Sequence, residues 1–216
     1  MIDRIYSFGD SFMYGADLSD ATNEVRGYSR LTWPALVAKN LKLNYVSWAE
    51  SGRGNQSIAF NIFKHANPDA LNIINWTWID RFDYNFTSNG WSDTIRPNGD
   101  ELSKFYYKHI HTEFDDKIRN LTIIYSAISY LESNNMPYIM TYMDKLMLEK
   151  NVSILNLQKN VVNKLQNFPD NQTFLEWSRA NNYPESQGWH PLEQAHEEAA
   201  KYWQPIYEKA INTHIT

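Results

Sequence analysis

Gly9-Asp10-Ser11 closes a short apolar run, Ile5-Tyr6-Ser7-Phe8, near the start of the chain. The run reads as a buried strand that Gly9 interrupts. A serine just past such a strand, where the next helix begins, lies at the carboxyl edge of an open α/β sheet, the edge at which ligands bind. Backbone N–H groups at such a turn point outward and favour developing negative charge. The hydroxyl there suits a nucleophile, provided that a histidine takes its proton. Taken alone, the tripeptide equally suits an ordinary helix-capping serine. Far along the chain, His190-Pro191 directly precedes the terminal helix.

Strands alternating with helices must position these residues. The pattern predicts strands at Ile2–Phe8, Asn44–Ala49, Ala70–Thr77 and Pro137–Tyr142. Apolar spacing predicts helices over Leu31–Leu43, after Asn55 through Ile58, Ile62 and Phe63, over Glu101–Asn134 and over Leu192–Ile211. Thr173–Asn181 reads as a short helix, with a fifth strand near Phe174–Trp177 as the alternative. Phe12–Ser29 reads as loop, and Asp83–Asp100 has little periodicity; loops of that length are usually functional or mobile. Such alternation implies one α/β domain over residues 1–216, a three-layer α/β/α sandwich with a central parallel sheet. Three breaks then meet at one sheet edge: Gly9-Asp10-Ser11, Ser51-Gly52-Arg53-Gly54-Asn55 and Trp76-Thr77.

Composition narrows the chemistry. The net charge of −5 and the lack of a long basic run argue against nucleic acid as the main partner. No cysteine is present, which excludes thiolate catalysis, disulfides and zinc–thiolate sites. His109 and His111 lie two apart on a helical pattern and diverge, so no metal is expected. His196 reads as a solvated or capping residue on the terminal helix. The first residues lack the apolar core of a signal peptide, and no segment has the roughly 18 apolar residues that cross a bilayer. The expectation is a cytoplasmic protein with no membrane partner; oligomeric state is open. Walker and dinucleotide fingerprints and a Gly-x-Ser-x-Gly elbow are absent, so no nucleotide is expected.

In their order these blocks resemble the SGNH/GDSL hydrolase superfamily across almost the whole chain. That superfamily carries Gly-Asp-Ser, a second-block Gly, Gly-x-Asn-Asp, and a C-terminal Asp-x-x-His. Ser-Phe-Gly-Asp-Ser-Phe, Trp-Pro and Trp-Thr segments look most like small phage and bacterial members. The resemblance implies flavodoxin-like strand order and a serine esterase acting on small acyl esters, acetyl or short-chain, on carbohydrate or lipid, without a cofactor. It makes Ser11 the nucleophile, His190 the base, and the N–H groups of Ser11 and Gly52 oxyanion donors. Two positions depart from the pattern. Asn75-Trp76-Thr77-Trp78 stands where the third-block asparagine belongs, leaving Thr77, Asn75 and Asn55 as replacement donors. Gln187 stands where the aspartate belongs, three residues before His190, with Glu185 as a substitute acid. Trp76, Trp78, Arg81 and Trp91 are candidate pocket residues. The rival reading is a weak or inactive protein of this fold that binds glycan or serves as a phage accessory.

Overall fold

The computed structural model describes residues 2–22, 27–87, 92–97 and 99–213. Its centre is a parallel four-stranded sheet: β1 (Arg4–Phe8), β2 (Asn44–Ser47), β3 (Ala70–Trp76) and, late in the chain, Tyr138–Tyr142. Between them β4 (Phe82–Tyr84) and β5 (Asp93–Ile95) form an antiparallel pair, so the late strand is β6. The order β2-β1-β3-β6 is the flavodoxin-like order. Register aligns Arg4 with Asn44 and with Ala70, and Asn72 with Tyr138.

Every residue of β3 is buried, because helices cover both faces. Side chains alternate across a strand, so Leu71 and Ile73 enter one core while Ile74 and Trp76 enter the other. The first core lies under α2 (Trp33–Asn40), α7 (Phe174–Ala180) and α8 (Glu193–Thr213). The second lies under α3 (Asn55–His65), α5 (Glu113–Ser133) and α6 (Leu155–Val162). The expected α/β/α sandwich is the observed architecture. Among the described residues no helix is long and apolar enough to cross a membrane.

Three expectations need correction. The single helix over Glu101–Asn134 is two, α4 (Glu101–His109) and α5, because the Thr112 side chain caps a new N-terminus by accepting the Asp115 N–H. The aperiodic stretch after Asp83 contains β5, paired with β4. Phe174–Trp177 is helix, not strand, since Thr173 and Glu176 form a reciprocal capping box.

His196 is also misplaced by the sequence reading. It is 1% exposed, stacks on Trp33, and its Nδ1 accepts the Trp33 N–H at 3.2 Å. Burial pushes its pKa down to about 3. In the unfolded chain it titrates near 6.5, so between those values the unfolded state binds the extra proton and stability falls as pH falls. From this residue alone, stability at pH 5 should lie about 2 kcal/mol below that at pH 8. Urea titrations of wild type and His196→Asn at both pH values check this: the variant should lose that increment.

Candidate functional site

The turn after β1 is built without slack. A side chain at Gly9 would put its Cβ 2.5 Å from Met13 Cγ and 3.1 Å from the Asn75 carbonyl oxygen. Asp10 caps α1 (Ser11–Tyr14), its Oδ1 accepting the Phe12 N–H at 3.1 Å. Its Oδ2 accepts the Thr77 hydroxyl at 2.6 Å and Arg81 Nη1 at 3.1 Å. One fully buried carboxylate thus joins the ends of β1 and β3. Asp10→Ala would orphan the Phe12 N–H and the Thr77 hydroxyl and take the carboxylate from Arg81, a guanidinium only 13% exposed that would keep the Arg53 carbonyl alone. Breaking such a pair costs about 3–5 kcal/mol, which a shifted urea midpoint at unchanged slope would report.

Ser11 opens this one-turn helix with 7% of its surface exposed. Gly15, at φ +78°, ends it by donating to the Ser11 carbonyl at 2.9 Å. Asp17 follows at φ +69°, a left-handed conformation that aspartate tolerates. These two left-handed residues turn the chain back toward the C-terminal segment, where Ser19 N–H meets Glu193 Oε1 at 2.9 Å.

His190 stands between the two. Its Nε2 is 2.9 Å from Ser11 Oγ, and its Nδ1 is 2.7 Å from Asp17 Oδ2. A carboxylate only accepts, so Nδ1 carries the proton and Nε2 is left as the acceptor of the Ser11 hydroxyl. Phe12 packs edge-on to the imidazole at 5.2 Å. Hydrogen bonds from Ser186, first, and from His190 hold the Asp17 carboxyl below the usual aspartate range. Gly188 is required beside them: its Cβ would lie 2.9 Å from Asp17 Oδ2.

The residue facing Nδ1 is therefore neither Gln187 nor Glu185. Gln187 is exposed, with no hydrogen-bond partner for its side chain among the described residues. Glu185 gives both oxygens to Arg179, at 2.8 and 3.0 Å. Reasoning from spacing missed Asp17 because it sits in a polar loop six residues after Ser11. Its proximity to Gly15 was the one available sign.

Two of the three side-chain replacements for the third-block donor, Thr77 and Asn55, are already engaged, and the third, Asn75, is sealed in the core with its Nδ2 unpaired among the described residues. Thr77 spends its hydroxyl on Asp10. Asn55 is buried, donating to the Thr77 carbonyl at 3.1 Å and to Asn120 Oδ1 at 2.8 Å, while its own Oδ1 accepts the Thr77 N–H at 2.8 Å. Asn75 has no exposed surface and accepts the Thr141 hydroxyl. Among the described residues the N–H groups of Ser11 and Gly52 have no acceptor. Gly52, at φ +79°, needs glycine's freedom, and Arg96 Nη1 lies 3.0 Å from where a Cβ would stand.

Ser11 and His190 open into a cavity of about 270 Å³ walled by Trp78, Arg81, Arg179 and Trp189. Trp78 and Arg81 both line this cavity, the guanidinium 4.8 Å from the indole. Trp76 does not: it has no exposed surface, and its Nε1 meets Met140 Sδ in the core. Trp91 lies outside the described residues. Trp189 was missed. It is 67% exposed at φ +65°, with the Arg179 guanidinium 5.2 Å from its ring.

No known family profile matches the sequence, and no curated protein matches it. Solved structures do match. A psychrotrophic esterase from Pseudoalteromonas sp., in a structure inhibited by monoethylphosphonate, superposes with TM-score 0.55 at 10% identity, over 97% of this chain and 99% of the other. A family 2 carbohydrate esterase with a carbohydrate-binding domain, from Corynascus (Myceliophthora fergusii), gives 0.53 at 14% identity, over 97% and 66%. An acetyl xylan esterase from the rumen bacterium Butyrivibrio proteoclasticus gives 0.51 at 12% identity, over 97% and 64%. This chain thus spans about two thirds of the length of the latter two. Together with the strand order, these likenesses show an SGNH/GDSL hydrolase-like fold.

Proposed function

We propose that the protein is a serine ester hydrolase that removes small acyl groups from carbohydrate. The observation that carries this reading is the unbroken chain from Ser11 Oγ through His190 to Asp17. In it Ser11 Oγ attacks the ester carbonyl carbon while its proton passes to His190 Nε2. Negative charge gathers on the former carbonyl oxygen, where the Ser11 and Gly52 N–H groups stabilise it. The carbon–oxygen bond to the alcohol then breaks, and His190 gives its proton to the departing oxygen. Water, deprotonated by the same nitrogen, attacks the acyl-enzyme; the acid leaves and Ser11 recovers its proton. Asp17 orients the ring and balances the imidazolium.

The rival glycan-binding reading draws on Gln187 and on the missing third-block asparagine; Asp17 beside His190 weighs against the first of these. A fluorophosphonate reagent tests the choice. It should attach to Ser11, located by peptide mass, and should abolish p-nitrophenyl acetate turnover. An unlabelled Ser11 in folded protein would favour the binding module.

The cavity supports the substrate class. Its volume suits a short acyl group and one ring rather than a long chain. Trp189 offers an exposed indole at its mouth, held at a φ that bulky residues rarely adopt and that strains the backbone. A pyranose ring stacks on such a face. Trp189→Ala should raise KM for an acetylated xylo-oligosaccharide about tenfold, the equivalent of about 1.4 kcal/mol. Ethyl acetate, which has no ring, should be cleaved with unchanged KM; equal effects on both esters would remove the stacking role.

A further inference from the structure

The turn that carries His190 is wound about a single hydroxyl. Ser186 Oγ accepts the Gly188 N–H at 3.0 Å and the His190 N–H at 3.2 Å, and it donates to Asp17 Oδ2 at 2.6 Å. A serine hydroxyl has one proton and two lone pairs, so its full capacity is used. Backbone N–H groups only donate; the hydroxyl proton is therefore directed to the carboxylate. The oxygen that receives it is the one that faces His190 Nδ1. The main chain closes the same turn, Ser186 N–H donating to the His190 carbonyl at 2.9 Å and Trp189 N–H to the Ser186 carbonyl at 3.1 Å.

Asp17 needs such a partner. Its side chain is 45% exposed, and a carboxylate so open to water holds an ion pair weakly on its own. The Ser19–Glu193 bond anchors its loop without touching its carboxylate. Other polar neighbours do not substitute: Glu185 is paired with Arg179, and Gln187 is exposed.

We propose that Ser186 is a positioning residue. It holds the Asp17 carboxylate against His190 Nδ1 and so keeps Nε2 free to take the Ser11 proton. This rests on the ester-hydrolase reading above for its kinetic consequence, though not for its structural one.

The test combines two readouts. Ser186→Ala should lower kcat for p-nitrophenyl acetate about 10–100-fold, the scale of a small misplacement in a catalytic group, with KM within about twofold. Ser186→Thr, which keeps the hydroxyl, should restore most of the loss. Ser186→Cys, similar in shape but a weak donor, should fall between and guards against an alanine variant that fails to fold. In an Asp17→Asn background the alanine substitution should cost less than about twofold, because residues acting as a unit are non-additive. Equal losses in both backgrounds would overturn the proposal. Independently of turnover, the downfield proton NMR signal of the His190 Nδ1–H should appear in wild type and Ser186→Thr and vanish in Ser186→Ala. Its retention in the alanine variant would also overturn the proposal. A wild type with this signal but no turnover would sink the hydrolase reading and leave the positioning role intact.

Discussion

Asp17→Asn is expected to lower kcat for p-nitrophenyl acetate by about 10³–10⁴, with KM little changed. The amide is nearly isosteric, so the loop survives, although an amide nitrogen in the place of Oδ2 no longer accepts the Ser186 hydroxyl. What changes is the charge facing Nδ1 and the ring tautomer it enforces. An asparagine can present its NH₂ to the imidazole, which moves the ring proton to Nε2 and blocks acceptance from Ser11 Oγ. Asp17 is partly solvated, which weakens the purely electrostatic share and places the expected loss at or below that of a buried acid. Because its carboxyl is held below the ordinary aspartate range, its pairing with His190 persists as pH falls through that range and is lost only below it. The contrasting variant is Gln187→Asp. If the aspartate expected three residues before His190 were simply missing, restoring it would raise kcat. With Asp17 already opposite Nδ1, the expected change is less than about twofold. A clear gain in Gln187→Asp, or an unaffected Asp17→Asn, would show that the imidazole is oriented otherwise.

Ser11→Ala is expected to have the larger effect, about 10⁵–10⁶ in kcat, the scale seen when the nucleophile of a serine–histidine pair is removed. Substrate binding and the oxyanion donors remain, so a small residual rate over water should persist. Burst kinetics should disappear altogether, since no acyl-enzyme can form. Stability should change little, because the cap of α1 comes from Asp10 and not from Ser11. Rapid-mixing and single-turnover assays on the two proteins check both points. Turnover indifferent to Ser11→Ala would mean that the chemistry occurs elsewhere or not at all.

Much of the site could be read locally. A strand buried on both faces announces itself as an apolar run, and the glycine that ends it marks a turn, so Ser11 was found at the sheet edge without any fold. His190 followed from the likeness of His190-Pro191 before the terminal helix to the C-terminal block of the SGNH/GDSL pattern. Strand positions and the parallel α/β class followed from alternation of two periods, 2.0 and 3.6. Helix ends were harder: the break between α4 and α5 depends on one capping threonine inside a pattern that otherwise continues.

Residue type and spacing were sufficient to propose a serine, a histidine and an open α/β sheet, because strand burial and turn chemistry are short-range properties. They could not choose the acid. Asp17 and Glu185 are both carboxylates near the motif in number or in space, and only chain return through left-handed Gly15 and Asp17 brings one of them to His190. Nor could they separate Trp76 from Trp189, two indoles of identical chemistry. One is sealed in the second core with its Nε1 on Met140, the other stands in solvent at the cavity that holds Ser11. Thr77 and Asn55 likewise have the donors an oxyanion hole needs, but buried partners consume them. Which polar group is free is a property of its neighbours, and those neighbours come from distant parts of the chain.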